Sequence, residues 1–357
     1  MTRDGYRESR LAALREKMSR KGTDLVLVES PVNVFYLSGF TGSNGTLLIT
    51  ATDEYLLTDP RYAAQAAAEA EGFSLRVGRE HYDLMAEIAA AAVWGLEEEF
   101  MTLARYAAWR QALPRAVEQP FSAELAGLRQ KKDAGEREIL RRAVAVTDEA
   151  FRYILGQMGA GVTEAALARR LEYFLREHGA SGPAFPFIVA SGFRGALPHG
   201  RATDKPLAVG DLVVMDFGGV FAGYHSDFTR TVCIGRADSR QREIYAVVLA
   251  AQLAGLAALR PGALCREVDA AARRVIEAAG YGAYFTHSFG HSLGLAVHEK
   301  PTLGPKDDTR LEEGMAATAE PGVYIPDWGG IRIEDVALIT ADGAEVLTGA
   351  PKDLIIV

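Results

Sequence analysis

Cysteine is scarce in this chain, and runs apolar enough to cross a membrane are absent from it. Only Cys233 and Cys265 occur, and they make neither a disulfide framework nor a zinc pattern. Cys233 sits within an apolar run and reads as a small core residue. The opening segment MTRDGYRESRLAALREKMSRKG carries charges where a signal peptide would need its apolar stretch, and no run is long enough to span a bilayer. A basic track is lacking as well: the net charge is −8, so nucleic acid is not an expected partner. The glycine-rich GFTGSNG lacks the Gly-Lys-Ser/Thr ending of a phosphate-cradling loop, and reads as a tight connection or as a lid over a neighbouring subunit's active site. No Ser or Cys stands in a recognisable nucleophile elbow. The expectation left by these absences is a soluble, cytoplasmic protein whose chemistry rests on other groups.

What is present is a length of 357 residues and a hydrophobic content of 48%, enough for two domains with cores of their own. Leu11, Leu14 and Met18 recur at helical spacing and predict an amphipathic first helix. DLVLVES follows as a buried strand, and EYLLT pairs back on GTLLIT as a hairpin. Asp59-Pro60 supplies an N-cap and an N1 proline for a helix. SLRVG, HYDLMAEIAAAA, VWGLEEE and LARYAAWRQAL continue the alternation, so residues 1–126 are expected to form an α/β domain. Charges crowd in RQKKDAGERE, and a second domain is expected over 127–357. There a long helix starts near Asp133, another is capped by Thr163 and ended by Gly179, and two more cover roughly 239–260 and 264–279. Strand-rich blocks separated by the paired helices predict an α+β domain with an internal duplication.

The chemistry centres on Met215–Arg230, MDFGGVFAGYHSDFTR. LVVMDFG reads as a strand buried on both faces, and a carboxylate there is expensive unless something positive neutralises it. Asp227 opens a second strand across a glycine-rich turn from Asp216, and strand parity puts Thr229 on its face. Glu320, in MAATAEPGVYI at the end of its strand just before Pro321-Gly322 turn the chain away, and Glu334, within GIRIEDVALIT, repeat this logic of acids beside turns. Parity along the second of these segments puts Arg332 and Glu334 on one face. Of seven histidines, His287, His291 and His298 cluster in THSFGHSLGLAVHEKP, and His199 stands in a loop of its own. His81, His178 and His225 read as surface or internally satisfied residues. Two Asp, two Glu and one His fit a pair of divalent ions, with oxygen-dominated ligation suiting manganese better than a thiolate-rich zinc site would. Two such ions bind a bridging hydroxide as nucleophile and polarise a carbonyl.

GGVFAGYHSDFTRT, FGHSLGLAVHE, AEPGVYI and GIRIED resemble the "pita-bread" metallopeptidase family, which includes aminopeptidase P, prolidase and methionine aminopeptidase. YLSGFTGSNG resembles the N-terminal domain of its proline-specific branch, so the likeness covers essentially the whole chain. The resemblance implies a curved, mostly antiparallel C-terminal sheet with pseudo-twofold duplication. It assigns the metal ligands to Asp216, Asp227, His291, Glu320 and Glu334, with Asp227 and Glu334 bridging two ions, Mn2+ first and Co2+ or Zn2+ as alternatives. His199 and His298 become substrate-binding and catalytic residues, Glu320 a proton shuttle, and His287 and Arg332 residues of the substrate pocket. Proline-containing peptides are the implied partners, and homodimers or homotetramers the implied assemblies, with Gly42–Gly45 reaching a neighbour's site. Certain prolidases place Arg directly after His-Glu-x-Pro to capture the substrate carboxylate; here Thr302 follows His298-Glu299-Lys300-Pro301, leaving Lys300 or Arg194 as substitutes. On this ground an Xaa-Pro aminopeptidase is expected ahead of an Xaa-Pro dipeptidase, and a non-catalytic binding module last.

Overall fold

The computed structural model describes residues 3–78, 81–89 and 92–357. The chain divides into two compact units, Met1–Arg129 and Gln130–Val357. The first contains α1 (Arg3–Lys21), β1 (Leu25–Val28), α2 (Pro31–Ser38), β2 (Gly45–Thr50), β3 (Glu54–Thr58), α3 (Ala63–Glu69), β4 (Ser74–Val77), α4 (Tyr82–Ala89), β5 (Val93–Leu96), α5 (Leu103–Ala112), β6 (Val117–Pro120) and α6 (Ser122–Gln130), the last running across the boundary. Its sheet has the order β4-β3-β2-β1-β5-β6. β1, β5 and β6 run parallel, whereas β2 is antiparallel to both β1 and β3. Leu11, Leu14 and Met18 are buried, as their spacing requires. Asp59 caps the turn that leads into α3 by accepting from the Arg61 N–H. It also accepts from Asn44 Nδ2 at 2.6 Å, and Ser43 Oγ lies 2.7 Å from the Tyr62 hydroxyl, so the GFTGSNG loop is pinned to the start of that helix. The helix expected over HYDLMAEIAAAA reaches residues 90 and 91, which lie outside the described residues.

The second unit opens with α7 (Ala134–Leu155) and α8 (Glu164–Glu177), followed by β7 (Gly182–Pro183), β8 (Ile188–Ser191), β9 (Leu212–Asp216), β10 (Gly219–Phe221), β11 (Tyr224–His225) and β12 (Thr229–Cys233). Then come α9 (Ser239–Ala258), α10 (Cys265–Ala278), β13 (Gly290–Ser292), β14 (Glu299–Leu303), β15 (Ala316–Ala319), β16 (Gly322–Ile325), β17 (Gly329–Arg332), β18 (Asp335–Thr340) and β19 (Gly343–Val346). Asp133 and Glu136 form a reciprocal capping box at α7, and Thr163 caps α8. Leu140 and Val144 of α7 are buried, and its Phe151 and Ile154 lie in a core with Leu167, Leu171, Val213, Met215 and Phe217. The strands pair antiparallel throughout.

The duplication is visible in the pairing order. In the first half β8-β9-β12 are neighbours, with the short pair β10–β11 intervening in sequence between β9 and β12. In the second half β13-β15-β18 are neighbours, with the pair β16–β17 intervening between β15 and β18. Asp216 ends β9 and Asp227 precedes β12; Glu320 follows β15 and Glu334 precedes β18. GIRIEDVALIT was expected as one strand and is two, while MAATAEPGVYI breaks where Pro321-Gly322 were expected to turn the chain away. Pro321, which cannot donate to a ladder, separates β15 from β16, and Ile333-Glu334 separates β17 from β18. At these breaks the chain leaves one sheet for another, which is what turns Glu320 and Glu334 into corner residues.

Candidate active site

Four carboxylates and an imidazole converge where these corners meet. Asp216, Asp227 and Glu334 each offer an oxygen, and the three oxygens lie within 4.8 Å of one another. His291, on β13, adds its Nε2, 3.7 Å from Asp227 Oδ2 and 3.2 Å from Glu320 Oε1. Each carboxylate is aimed by a fixed donor. Arg332 Nη2 holds Asp216 Oδ2 at 2.5 Å, Thr229 Oγ1 donates to Glu334 Oε2 at 2.6 Å, and the Phe228 N–H donates to Asp227 Oδ1 at 3.0 Å. The other oxygens, Asp216 Oδ1 and Glu334 Oε1, are buried with no hydrogen-bond partner among the described residues. Carboxylates held by one oxygen with the other buried and unpartnered suit a hard cation.

The electrostatics say the same. Burial pushes Asp227 well above the usual carboxylate range, and the charge on Asp216 pushes it further. Burial and the charges on Asp227, Glu320 and Asp216 do the same to Glu334. His291 responds in the opposite sense: burial disfavours its charge, but the Glu320 hydrogen bond and the Glu320 and Asp227 charges outweigh that and raise it to about 9. For Glu320, burial is outweighed by His291, which draws it down to about 2. A protonated imidazole thus serves as the site's own cation. His291 Nδ1 lies 3.1 Å from the Ser292 carbonyl, which can only accept, so Nδ1 carries a proton and Nε2 is the nitrogen that would ligate a cation on giving up its own proton.

Around this cluster stand the other residues singled out from the sequence. The His298 ring meets His291 edge-on at 4.4 Å; burial and then His291 lower the pKa of His298, and His199 is close enough to add to that. Both are exposed. Arg332 Nε donates to Thr229 Oγ1 and Nη1 to the Tyr324 hydroxyl at 2.7 Å, so the arginine braces the carboxylates from behind. Its link to Glu334 runs through Thr229, because the strand break removes the shared face that parity along one strand would have given. His287 Nδ1 donates to the Ser288 carbonyl, and Nε2 accepts from Tyr324 at 2.9 Å. Burial pushes the Tyr324 hydroxyl up to about 12, which keeps its proton in place. Tyr324 was not singled out from the sequence. Its signal was Gly322, where an added Cβ would lie 2.4 Å from the Tyr324 hydroxyl. Arg194 is committed elsewhere: Nε pairs with Glu164 at 3.1 Å and Nη2 donates to the Arg201 carbonyl. His225 lies against the Gly294 carbonyl, an internally satisfied residue as expected.

The model for metallopeptidase family M24 matches residues 138–341, and that for the creatinase/prolidase N-terminal domain matches residues 10–131. The chain belongs to metallopeptidase family M24. A curated Xaa-Pro dipeptidase of Pyrococcus furiosus is 36% identical over 98% of this chain and 100% of its own length. The structure of an Xaa-Pro dipeptidase from Bacillus anthracis is 40% identical, with a TM-score of 0.95, covering 98% of this chain and 100% of that one. The X-Pro aminopeptidase of Thermotoga maritima is 36% identical with a TM-score of 0.91, covering 97% and 99%. The two-domain arrangement, α/β followed by a mostly antiparallel pita-bread unit, is that of these M24 relatives. Among the described residues, no helix is long and apolar enough to cross a membrane.

Proposed function

We propose that this M24 peptidase is an Xaa-Pro dipeptidase that holds two divalent cations on Asp216, Asp227, His291, Glu320 and Glu334. The observation that carries the metal reading is the pair of buried, unpartnered oxygens, Asp216 Oδ1 and Glu334 Oε1, in a cluster of carboxylates that His291 Nε2 faces. Asp227 and Glu334, whose oxygens lie within 4.8 Å of each other and of Asp216, would hold the cations at the centre of the cluster, and Mn2+ is the first cation to test. When bound, the cations supply Lewis-acid activation of the scissile carbonyl and of the attacking water.

The chain's own residues do the remainder. Glu320, which faces His291 Nε2 at 3.2 Å at the edge of the carboxylate cluster, is the group proposed to take a proton from the water and return it to the proline nitrogen. That nitrogen belongs to a tertiary amide with no N–H, so the site must activate the carbonyl rather than grip the leaving group. His298, exposed beside His291, and His199, exposed near His298, donate to the substrate and to the oxyanion that develops at its carbonyl. His287, fixed by Tyr324, lines the pocket with Arg332 behind it.

The aminopeptidase was ranked first on the sequence, and the relatives reverse that order: nearly full-length matches carry the dipeptidase name. With Arg194 bound to Glu164, Lys300 is the cation proposed for the substrate carboxylate. It is exposed on β14, where exposure alternates so that Lys300 shares a face with Thr302, the residue paired with His291. The aminopeptidase reading stays in play through Thr302 itself and the Thermotoga maritima structure. Incubating the Mn2+-loaded protein with Ala-Pro and with Ala-Pro-Ala decides between them. Cleavage of Ala-Pro supports the dipeptidase; cleavage of the tripeptide alone makes the protein an aminopeptidase.

A further inference from the structure

Glu164 is the first residue of α8, fully buried, and plays no part in the metal cluster. Its two oxygens accept five hydrogen bonds, all from the two ends of one loop. Oε1 accepts from the Ser191 N–H and from Ser191 Oγ, both at 2.8 Å. Oε2 accepts from Arg194 Nε at 3.1 Å, the Thr203 N–H at 3.0 Å and Thr203 Oγ1 at 2.7 Å. Residues 191 and 203 are therefore stapled together, and the segment between them carries His199. The far end of that loop has a second anchor: the Pro198 carbonyl accepts from Arg332 Nη1 at 3.3 Å, and Arg332 is the residue that holds Asp216. The loop also packs on β17 at Gly195, where an added Cβ would lie 2.9 Å from the Gly330 nitrogen. His199 itself is exposed and follows Pro198 directly, so its place beside His298 depends on these anchors rather than on packing of its own ring.

We propose that Glu164 is a positioning residue for His199: through the base of the 192–202 loop it sets the distance and direction of the imidazole over the substrate. The second half of the unit repeats the device. Asp269 of α10, also buried, pairs with Arg273 and accepts from the Phe289 N–H, while Arg273 donates to the carbonyls of Phe285 and His287, the segment bearing the other pocket histidine. In each half a carboxylate–arginine pair, its acid on the second helix, holds a histidine-bearing segment.

The inference rests on the peptidase reading above, and a double-mutant cycle tests it. Glu164→Gln keeps the side chain's size but breaks the ion pair with Arg194, and is expected to lower kcat on Ala-Pro about tenfold with Mn2+ affinity unchanged. His199→Ala is expected to lower kcat about 100-fold. In the His199→Ala background, Glu164→Gln should cost less than about twofold, because the residue it positions is gone. Amide exchange in 192–202 should quicken in Glu164→Gln while exchange in β9 and β12 stays unchanged. Thr203→Val, which removes one donor to Oε2, gives the same pattern more weakly and serves if Glu164→Gln does not fold. Losses that multiply in the double mutant, or unchanged exchange in the loop, overturn the inference. A wild-type protein that cleaves neither Ala-Pro nor Ala-Pro-Ala removes the peptidase reading and this inference with it; an active wild type with multiplying losses removes the inference alone.

Discussion

Loading the site with Mn2+ should raise the melting temperature of the catalytic unit, and the gain should grow with pH. Asp227 and Glu334 are raised well above ordinary carboxylates by burial and by one another's neighbourhood of negative charge. In the metal-free fold they therefore keep their protons at pH values where the unfolded chain has released them. The folded state then binds more protons than the unfolded one, so this contribution to stability falls as pH climbs from about 4 through the folded pKa values. A cation displaces those protons and reverses the trend, because it binds the ionised cluster. At free Mn2+ about 100-fold above its Kd, one site contributes about 2.7 kcal/mol. For a unit of this size that is roughly 5–10 °C in Tm. Scanning calorimetry with buffered Mn2+ against chelator, at pH 5.5 and at pH 7.5, measures both the gain and its direction. Asp227→Asn gives the matched control: it puts a neutral amide of the same size where burial and Asp216 already disfavour the ionised carboxylate, so in chelator at pH 7.5 it should melt no lower than the parent, yet gain nothing from Mn2+. A Mn2+ gain that shrinks between pH 5.5 and pH 7.5, or survives in Asp227→Asn, would refute the reasoning.

Three further changes probe the residues around the cluster. His298→Ala should keep the Mn2+ gain in Tm but lower kcat about 100-fold, and turnover within twofold of the parent would remove His298 from the chemistry. Lys300→Ala should raise KM for Ala-Pro roughly fivefold, the ~1 kcal/mol of an exposed ion pair, with kcat unchanged; an unchanged KM would mean that another cation meets the carboxylate. Tyr324→Phe leaves Arg332 Nη1 and His287 Nε2 each short of a buried partner, so urea unfolding should show a loss of about 1–3 kcal/mol, and no loss would mean that the chain linking them carries no stability.

Much of this was legible because local rules sufficed. Thr163 and Asp59 cap where they were read to cap, the long helix starts at Asp133 as expected, and LVVMD is a strand buried along nearly its whole length. The acids at strand ends were legible for a related reason: a carboxylate in an apolar run beside a turn has few ways to be satisfied. Strand parity reached less far. It assumed that Gly330–Thr340 was continuous, and the break at Ile333-Glu334 makes Arg332 and Glu334 neighbours through Thr229 instead. Tyr324 escaped because its partners lie across a hairpin. Gly322 stands opposite Arg332 and Tyr324 opposite Gly330, so the tyrosine and arginine are diagonal neighbours, a relation that exists only once the register is known. The Glu164 staple escaped likewise, since Ser191 and Thr203 are drawn to it only by the return of the chain past the start of α8.

The duplication also explains why the site could not be read from either half alone. Each half contributes two corner carboxylates, but the groups that aim them are exchanged between halves. Asp216 of the first is held by Arg332 of the second, whereas Glu334 of the second is held by Thr229 of the first. The backbone follows the same rule, with the Glu334 N–H donating to the Thr229 carbonyl at 3.0 Å. Beneath them, buried Arg230 of the first half pairs with buried Asp335 of the second at 2.8 Å. A carboxylate whose second oxygen is free to meet a cation needs its first oxygen fixed; for Asp216 and Glu334 the fixing atom comes from across the pseudo-symmetric seam, whereas Asp227 is held by the Phe228 N–H of its own half. Asp216 and Glu334 are therefore aimed only when the two halves are docked, which ties cation binding to completion of the fold.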